Sequence, residues 1–146
     1  MLAKKPAAIN QLWLIEDDDS LRSLMATSLR SAGYRVKEFD TVEDADTELS
    51  GILKDSTQTS SRPDLIITDN STPGDMKGSE FATKYGKKGT GLPIILCSAE
   101  ELAIAKVKEH HAIKTMLKPI SLPVFINTVN DAATEVASPK TARTIG

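Results

Sequence analysis

Four short apolar runs in this sequence end in side chains that can do chemistry. The runs cover residues 12–15, 64–69, 93–97 and 115–117. At their ends stand three carboxylates, a hydroxyl and an amine, from Glu16 and Asp17, Asp69, Ser98, and Lys118. If the four runs are parallel strands of one open sheet, their carboxyl ends share the edge at which such sheets bind ligands. The sequence therefore predicts that these five side chains converge.

The charges of this group indicate its chemistry. Glu16, Asp17 and Asp69 would repel one another at close range unless a cation neutralised them. Mg²⁺ suits such a cluster because it prefers oxygen ligands and keeps several of its waters. Lys118 adds a positive charge and Ser98 a hydrogen-bond donor, so that together with the metal they would bind a phosphoryl group. Asp69 is then the predicted nucleophile that receives this group.

The elements that must position these residues alternate along the chain. Each predicted strand is followed by a stretch with apolar residues at helical spacing, which makes five β/α units. This alternation predicts an α/β fold with a doubly wound, five-stranded parallel sheet of the flavodoxin-like type, strand order 2-1-3-4-5. Residues 34–39 alternate apolar and polar side chains, so this second strand is predicted at the sheet edge.

Capping residues and apolar spacing predict the helices. The first helix can begin at Asp18, Asp19 or Ser20 and end at Gly33, with core-facing residues Leu21, Leu24, Met25, Leu29 and Ala32. Thr41 is the predicted cap of the second helix, whose inward residues are Val42, Ala45, Leu49, Ile52 and Leu53. The later helices are predicted through residues 81–85, from Glu100 to His111, and from Leu122 onward. Residues 54–63 are predicted to form a mobile surface loop and residues 86–91 a turn.

Length and composition bound the class of protein. With 146 residues and 40% hydrophobic content we expect one domain at residues 11–136, after an N-terminal extension (1–10) and before a disordered tail (137–146). The 18 basic and 20 acidic residues nearly balance, so direct DNA binding and binding to anionic membranes are not expected. The first apolar run is too short for a signal peptide or a membrane span, which predicts a cytoplasmic protein. Cys97 lies within an apolar run and is predicted to be a buried core residue.

Four segments, in this order along the chain, resemble the receiver domains of two-component response regulators. They run from Leu14 to Arg22, Pro63 to Pro73, Leu92 to Ala99 and Thr115 to Pro119, and the resemblance covers roughly residues 10–136. It implies that Asp69 is the phosphoacceptor. It also implies that Asp17 binds Mg²⁺ directly, Glu16 binds it through water, and the backbone carbonyl of Ser71 is a further ligand. Leu21 and Arg22, at the family's spacing, select Glu16 and Asp17 from the four consecutive acids.

The same resemblance implies further roles and partners. Ser98 would be the switch hydroxyl, Lys118 the phosphate-binding lysine, and the bond before Pro119 cis. The phosphoryl group would come from the phosphohistidine of a sensor histidine kinase or a histidine phosphotransfer protein. The receiver would be a signalling domain that promotes its own phosphorylation and dephosphorylation. It would be monomeric or weakly dimeric, and either stand alone or belong to a larger regulator or hybrid kinase.

Two features depart from the family's pattern. The loop from Pro73 to Gly78 is one residue longer than usual. Thr115 stands where many receivers carry a Tyr or Phe that swings inward on activation. We therefore expect the change at the outer face made by the fourth helix, fifth strand and fifth helix to be small, or to be carried by the loop after Ser98 and by the fourth helix itself. Such a chain would mainly pass phosphoryl groups to or from a histidine-bearing partner.

Other classes of protein remain open at the level of the residues. A haloacid-dehalogenase-like phosphatase could use Asp17 as nucleophile within Asp17-Asp18-Asp19, with Lys118 as its lysine. The chain is short for that class, has no cap domain, and Asp69 would have no role. A flavodoxin-like mononucleotide binder would need a phosphate loop rich in Gly, Ser and Thr, where three aspartates stand here. An inactive receiver would not need the full set of site residues.

Overall fold

The computed structural model describes residue 9 and residues 11–55, 57, 61–86, 92–107 and 113–137. Within these residues, strands and helices alternate strictly, as the sequence predicted. The strands are β1 (Gln11–Ile15), β2 (Arg35–Phe39), β3 (Leu65–Asp69), β4 (Ile94–Ser98) and β5 (Ile113–Leu117). The helices are α1 (Asp19–Ser31), α2 (Val42–Lys54), α3 (Gly78–Gly86), α4 (Glu101–Val107) and α5 (Leu122–Ala137).

The five strands form one parallel sheet in the order β2-β1-β3-β4-β5, which confirms the predicted doubly wound fold. Every residue of β3 and of β4 is buried, because helices cover both faces of the central strands. In β2 only Phe39 is buried, as expected for an edge strand. The strand ends that carry the predicted site residues therefore lie along one edge of the sheet.

Alternate residues of each strand feed two separate cores. On one face, Leu12 and Leu14 of β1 pack with residues of α1 and α5, among them Met25 and Phe125. On the other face, Trp13 of β1 packs with residues of α2, α3 and α4. The two-residue side-chain period of a strand makes this division, and burial on both faces holds the sheet between two helical layers.

Capping residues place the helix ends largely where the sequence predicted them. Asp18 is the N-cap of α1 and its side chain accepts the Leu21 N–H. Thr41 is the N-cap of α2 and accepts the Asp44 N–H. Gly33, with φ of 105°, follows the end of α1 in the left-handed conformation that glycine adopts without a steric cost.

Some local predictions were wrong. Leu24 does not face the core; it is 52% exposed. It precedes the buried Met25 by one residue, which turns its side chain about 100° around the helix from the apolar stripe. Lys54 and Gly86, predicted in a loop and a turn, are the last residues of α2 and α3. Ala137, predicted as the first residue of the tail, is the last residue of α5. The predictions for residues 56, 58–60 and 87–91, for His110 and His111 at the end of the fourth helix, and for residues 138–146 fall outside the described residues.

Candidate functional site

The register of the sheet brings the predicted side chains to one edge. Asp69 and Ser98 are the last residues of β3 and β4, while Glu16 and Lys118 directly follow β1 and β5. Ile15 pairs with Thr68 and Ser98 with Leu117, so neighbouring strands end at nearly the same level. The convergence inferred from four separate apolar runs is therefore present in the fold.

Three carboxylates meet at this edge. Glu16, Asp17 and Asp69 can each offer an oxygen such that all three oxygens lie within 4.8 Å of one another. Glu16 and Asp69 are buried, with exposures of 2% and 8%, whereas Asp17 lies at the surface. Two buried acids and one exposed acid form an oxygen-rich cluster that is open to solvent on one side.

Lys118 joins the two buried acids. Its Nζ lies 3.0 Å from Glu16 Oε1 and 3.0 Å from Asp69 Oδ1. Burial works against the charge of the Lys118 ammonium, but hydrogen bonds to Glu16 and Asp69 outweigh it, so the pKa of Lys118 is raised. The lysine is therefore a fixed positive charge beside Asp69.

The contacts with Lys118 do not fully offset the burial and mutual repulsion of the acidic side chains. Burial raises the pKa of the Glu16 carboxyl, and the nearby Asp69 adds to the shift. Burial likewise raises the pKa of Asp69, with repulsion from Asp17 acting in the same direction and Lys118 opposing it. Ionised carboxylates are thus held where their charge is unfavourable, and a bound divalent cation would relieve this repulsion.

The two serines contact the loop before α4. Ser98 is buried, and its Oγ accepts the Glu100 N–H at 2.9 Å. The Ser71 side chain, in the loop after β3, donates to Glu100 Oε1 at 3.3 Å. Ser98 thus lies at the predicted edge with its hydroxyl bonded to the loop after β4, and the metal-binding role of the Ser71 carbonyl stays a prediction.

Arg22 has a role at the site that the sequence reasoning did not assign. Its guanidinium donates to the backbone carbonyl of Glu16 at 2.8 Å and also contacts Asp19 and Glu38. The Glu16 carboxylate is held further by the Asp18 N–H, which donates to Oε2 at 3.1 Å. In the sequence, Arg22 was used only to select Glu16 and Asp17 from the four acids. Its position six residues after Glu16, on the first turn of the predicted helix, was the signal that it could reach back to Glu16.

Asn70 is a second residue that the sequence reasoning passed over. Its N–H donates to the Cys97 carbonyl at 3.0 Å and its Oδ1 accepts the Ser79 N–H at 2.9 Å. Its carbonyl accepts the Gly78 N–H at 2.8 Å. Asn70 therefore ties the end of β3, where Asp69 lies, to β4 and to the start of α3.

Two further predictions concern residues beside the cluster. Cys97 is buried, and burial raises the pKa of its thiol to about 12, so it remains a protonated core residue as expected. The peptide bond between Lys118 and Pro119 is cis, as the resemblance implied.

In the described part of the chain, no helix has both the length and the apolar character needed to cross a membrane.

Comparisons with known proteins place these features in a family. The family model described as the response regulator receiver domain matches residues 12–130. The transcriptional regulatory protein AfsQ1 of Streptomyces coelicolor is 32% identical over 111 residues, which are 75% of this chain and 44% of that protein. The chain therefore spans less than half the length of this curated relative.

Solved structures show the same fold at low sequence identity. The non-phosphorylated HemR receiver domain from Leptospira biflexa is 24% identical, with a TM-score of 0.70 over 86% of this chain and 94% of that chain. The chemotaxis response regulator CheY4 of Vibrio cholerae is 21% identical, with a TM-score of 0.68 over 85% of this chain and 98% of that chain. The sheet order and helix placement are thus those of solved receiver domains.

Proposed function

This chain belongs to the response regulator receiver domain family, and from that premise we propose that it accepts a phosphoryl group on Asp69 in a two-component phosphorelay. The observation that carries the proposal is the contact of Lys118 with Asp69, within a cluster that includes Glu16 and Asp17. This arrangement suits phosphoryl transfer. The buried carboxylate can attack phosphorus, the ammonium can neutralise charge on the phosphoryl oxygens, and the two further acids can hold a cation that does the same.

The donor set fits Mg²⁺. Three carboxylates can present oxygens within 4.8 Å of one another, and hard divalent cations prefer such ligands. We assign Asp17 and Asp69 as direct ligands, Glu16 as a ligand through water, and the Ser71 backbone carbonyl as a further ligand. When bound, Mg²⁺ would neutralise charge on the acids and on the phosphoryl oxygens.

The chain's own residues supply the remaining steps. A carboxylate oxygen of Asp69 attacks phosphorus, forming an O–P bond as the bond between phosphorus and the donor's imidazole nitrogen breaks. The electron pair of that bond stays on the nitrogen. Lys118 contacts Asp69 Oδ1 and would also contact a phosphoryl oxygen. Ser98 would turn its hydroxyl from the Glu100 N–H to another phosphoryl oxygen.

The protein would act as a signalling domain that promotes both its own phosphorylation and its own dephosphorylation. In the second reaction, water attacks phosphorus and the Asp69 carboxylate leaves. Lys118 and Ser98, together with a bound cation, would stabilise charge on the phosphoryl oxygens in both reactions, so one site would serve both.

The partner we propose is a sensor histidine kinase or a histidine phosphotransfer protein. It would dock beside the site, on α1 and the Lys118-Pro119 turn, where a histidine could approach Asp69. The chain would work in the cytoplasm without binding DNA directly, as a monomer or weak dimer. It would do so alone or as part of a larger regulator or hybrid kinase.

The competing hypothesis, a haloacid-dehalogenase-like phosphatase with Asp17 as nucleophile, is not favoured. Lys118 contacts Asp69 and Glu16, and it is Asp69 that is buried among the donors while Asp17 is exposed. A phosphatase of that kind would leave the buried Asp69 without a role.

Intact-mass analysis after treatment with acetyl phosphate tests the proposal. The unmodified protein should gain one phosphoryl group only when Mg²⁺ is present. Asp69→Asn should gain none, and Asp17→Asn should gain it much more slowly because it lacks a metal ligand. Labelling that persists in Asp69→Asn but disappears in Asp17→Asn would support the phosphatase instead.

A further inference from the structure

The loop that follows Asp69, residues 70–77, is joined to the first turn of α2 by two hydrogen bonds of opposite direction. The Val42 N–H of the helix donates to Thr72 Oγ1 of the loop at 2.9 Å. The Asp75 N–H of the loop donates to Glu43 Oε2 of the helix at 3.1 Å. The loop is thus tied to a helix that supplies none of the predicted site residues.

The first of these bonds is buried, and it replaces a bond that the helix cannot make itself. Val42 is the first residue of α2, and the first N–H groups of a helix have no acceptor within it. Thr41 satisfies the Asp44 N–H, 3.1 Å away, and the hydroxyl of Thr72 satisfies Val42. Thr72 is only 8% exposed, so water cannot readily take its place.

The second bond depends on close packing at Gly74. This residue has φ of 114°, a conformation that other residues rarely adopt. A Cβ placed there would lie 1.8 Å from Glu43 Oε1. That Cβ would therefore press on the carboxylate group of Glu43 that accepts the Asp75 N–H. A glycine at this position lets helix and loop approach closely enough for the bond to form.

Ser71 lies between two residues whose positions are fixed. On one side, Asn70 is bonded through its backbone to Cys97 and Gly78. On the other side, Thr72 is bonded to Val42. The Ser71 carbonyl belongs to the peptide unit that joins Ser71 to Thr72. Because a peptide unit is planar, holding both neighbours restricts the direction of that carbonyl.

We propose that Thr72, Gly74 and Glu43 are positioning residues, which fasten this loop to α2 and so fix the Ser71 carbonyl as a ligand of Mg²⁺. The inference rests on the proposed function, in which that carbonyl completes the metal site. Groups that orient a metal ligand without touching the metal commonly contribute substantially to affinity. A loop that had to be ordered during binding would lower the affinity by the cost of that ordering.

The substitution Thr72→Val tests the proposal, because it keeps the shape of the side chain and removes the hydroxyl. We expect the Mg²⁺ dissociation constant, measured by titration of backbone amide shifts, to rise roughly tenfold, the lower end of the range for such orienting groups. Thr72→Ser keeps a hydroxyl at the same position and should restore most of the affinity. In metal-free protein, hydrogen exchange of the Val42 amide should be faster in Thr72→Val than in the unmodified chain, and should not be faster in Thr72→Ser.

Thr41→Val is the matched control. It removes a hydroxyl cap from the same end of the same helix, but the bond that it removes goes to Asp44 rather than to the loop. It should lower the melting temperature as Thr72→Val does and leave the Mg²⁺ dissociation constant unchanged. A purely structural role for Thr72 would affect both variants alike.

The outcomes separate this inference from the proposed function. If the unmodified chain does not bind Mg²⁺, the proposed function itself is wrong. If it binds Mg²⁺ and Thr72→Val binds equally well, or Thr41→Val is weakened by the same factor, the positioning role is wrong. Should Thr72→Val fail to fold, the Mg²⁺ affinities of Glu43→Ala and Glu43→Gln test the positioning role instead. Gln keeps an acceptor for the Asp75 N–H and Ala does not. Equal Mg²⁺ affinity of those two variants would then contradict the proposal.

Discussion

Lys118 contacts two residues to which we assign different roles. It bonds to the proposed nucleophile and to a proposed metal-binding acid at once. Its positive charge offsets part of the repulsion within the cluster and so competes with a cation for the same carboxylates. The lysine should therefore assist phosphoryl transfer without assisting metal binding.

The variant Lys118→Ala separates these two effects. Removing a positive charge from a negative cluster should leave Mg²⁺ affinity equal or higher. Phosphorylation of Asp69 should slow by about a hundredfold, as when one charge-stabilising donor is lost from an active site. Calorimetric titration and the rate of labelling measure the two quantities.

Lys114→Ala is a suitable control, since this lysine lies on β5, the strand that Lys118 directly follows, and pairs with Glu135 away from the site. Its Mg²⁺ affinity and labelling rate should match those of the unmodified chain. Much weaker Mg²⁺ binding in Lys118→Ala would contradict the assigned roles.

At the scale of elements, the approach of α3 to β3 determines where Asp69 stands. A Cβ at Gly78 would lie 2.1 Å from the Asp69 carbonyl oxygen and 2.8 Å from Asn70 Cα. Both are backbone atoms, so neither can move without displacing the end of β3. The glycine that begins α3 is thus required by the position of Asp69, the proposed phosphoacceptor.

Gly78→Ala should therefore lower the free energy of unfolding by about 2 to 4 kcal/mol, comparable to other disruptive core changes. It should also slow labelling of Asp69. Gly51→Ala is the control, because Gly51 lies in α2 with nothing within 4 Å of the new Cβ. That change should instead raise the free energy of unfolding by about 0.5 to 1 kcal/mol. Urea unfolding of both variants measures these effects. If Gly78→Ala and Gly51→Ala were equally stable, the backbone of Asp69 and Asn70 would have to move away from the new Cβ without cost.

The segment before β2 and helix α5 are linked by Tyr34, whose hydroxyl donates to Asn130 Oδ1. Burial raises the pKa of Tyr34 to about 12, whereas an unfolded tyrosine titrates near 10, so the folded state holds the proton more tightly. The corresponding stability is fully present below pH of about 10 and is lost as pH rises through 12, at about 1.4 kcal/mol per pH unit.

Urea unfolding of the unmodified chain and of Tyr34→Phe between these pH values tests the link. Tyr34→Phe should be less stable by about 1 kcal/mol at neutral pH, having lost one hydrogen bond. That deficit should shrink and then reverse as pH rises. The buried Cys97 thiol is present in both proteins, so its own titration cancels in the comparison. A deficit that stays constant with pH would contradict the raised pKa.

For elements, most predictions from the sequence were correct because each rested on a strong local signal. Apolar runs ending in acidic, hydroxyl or amine side chains located four strands, and alternation of apolar and polar residues located β2. Asp18, Thr41 and Gly33 located helix ends. Leu24 was misplaced because apolar character alone does not distinguish neighbouring positions around a helix. The bond from Val42 to Thr72 could not have been foreseen, since it joins residues 30 apart in the sequence and no local pattern marks it.

For the whole molecule, phosphorylation of Asp69 would have to alter the face formed by α4 and β5, where Thr115 lies. Thr115 is half-buried in a groove that it shares with Ile104 and Ala105 of α4 and Leu117 of β5. A threonine lacks the volume to fill the space that Ser98 would vacate by turning toward a phosphoryl group. That turn would break the bond from the Glu100 N–H, so the loop before α4 should respond first.

Backbone amide shifts with and without beryllofluoride, a mimic of the phosphoryl group, test this expectation. Large changes should be confined to the site and to the loop at Ala99 and Glu100, with small changes along β5 and α5. Large changes throughout residues 99–118 and α5 would show a conventional switch that works without an aromatic residue at position 115. The proposal that the chain mainly passes phosphoryl groups onward would then be wrong.

The central claim, that Asp69 is a Mg²⁺-dependent phosphoacceptor, can be tested on the unmodified chain, where no substitution can disturb the fold. The measurement is peptide mass mapping after brief exposure to acetyl phosphate, with Mg²⁺ or with a chelator. We predict one phosphoryl group, on the carboxylate of Asp69, in the sample with Mg²⁺ only. A phosphoryl group on Asp17 or on another side chain, or labelling of Asp69 that is equal in the chelator, would contradict the account.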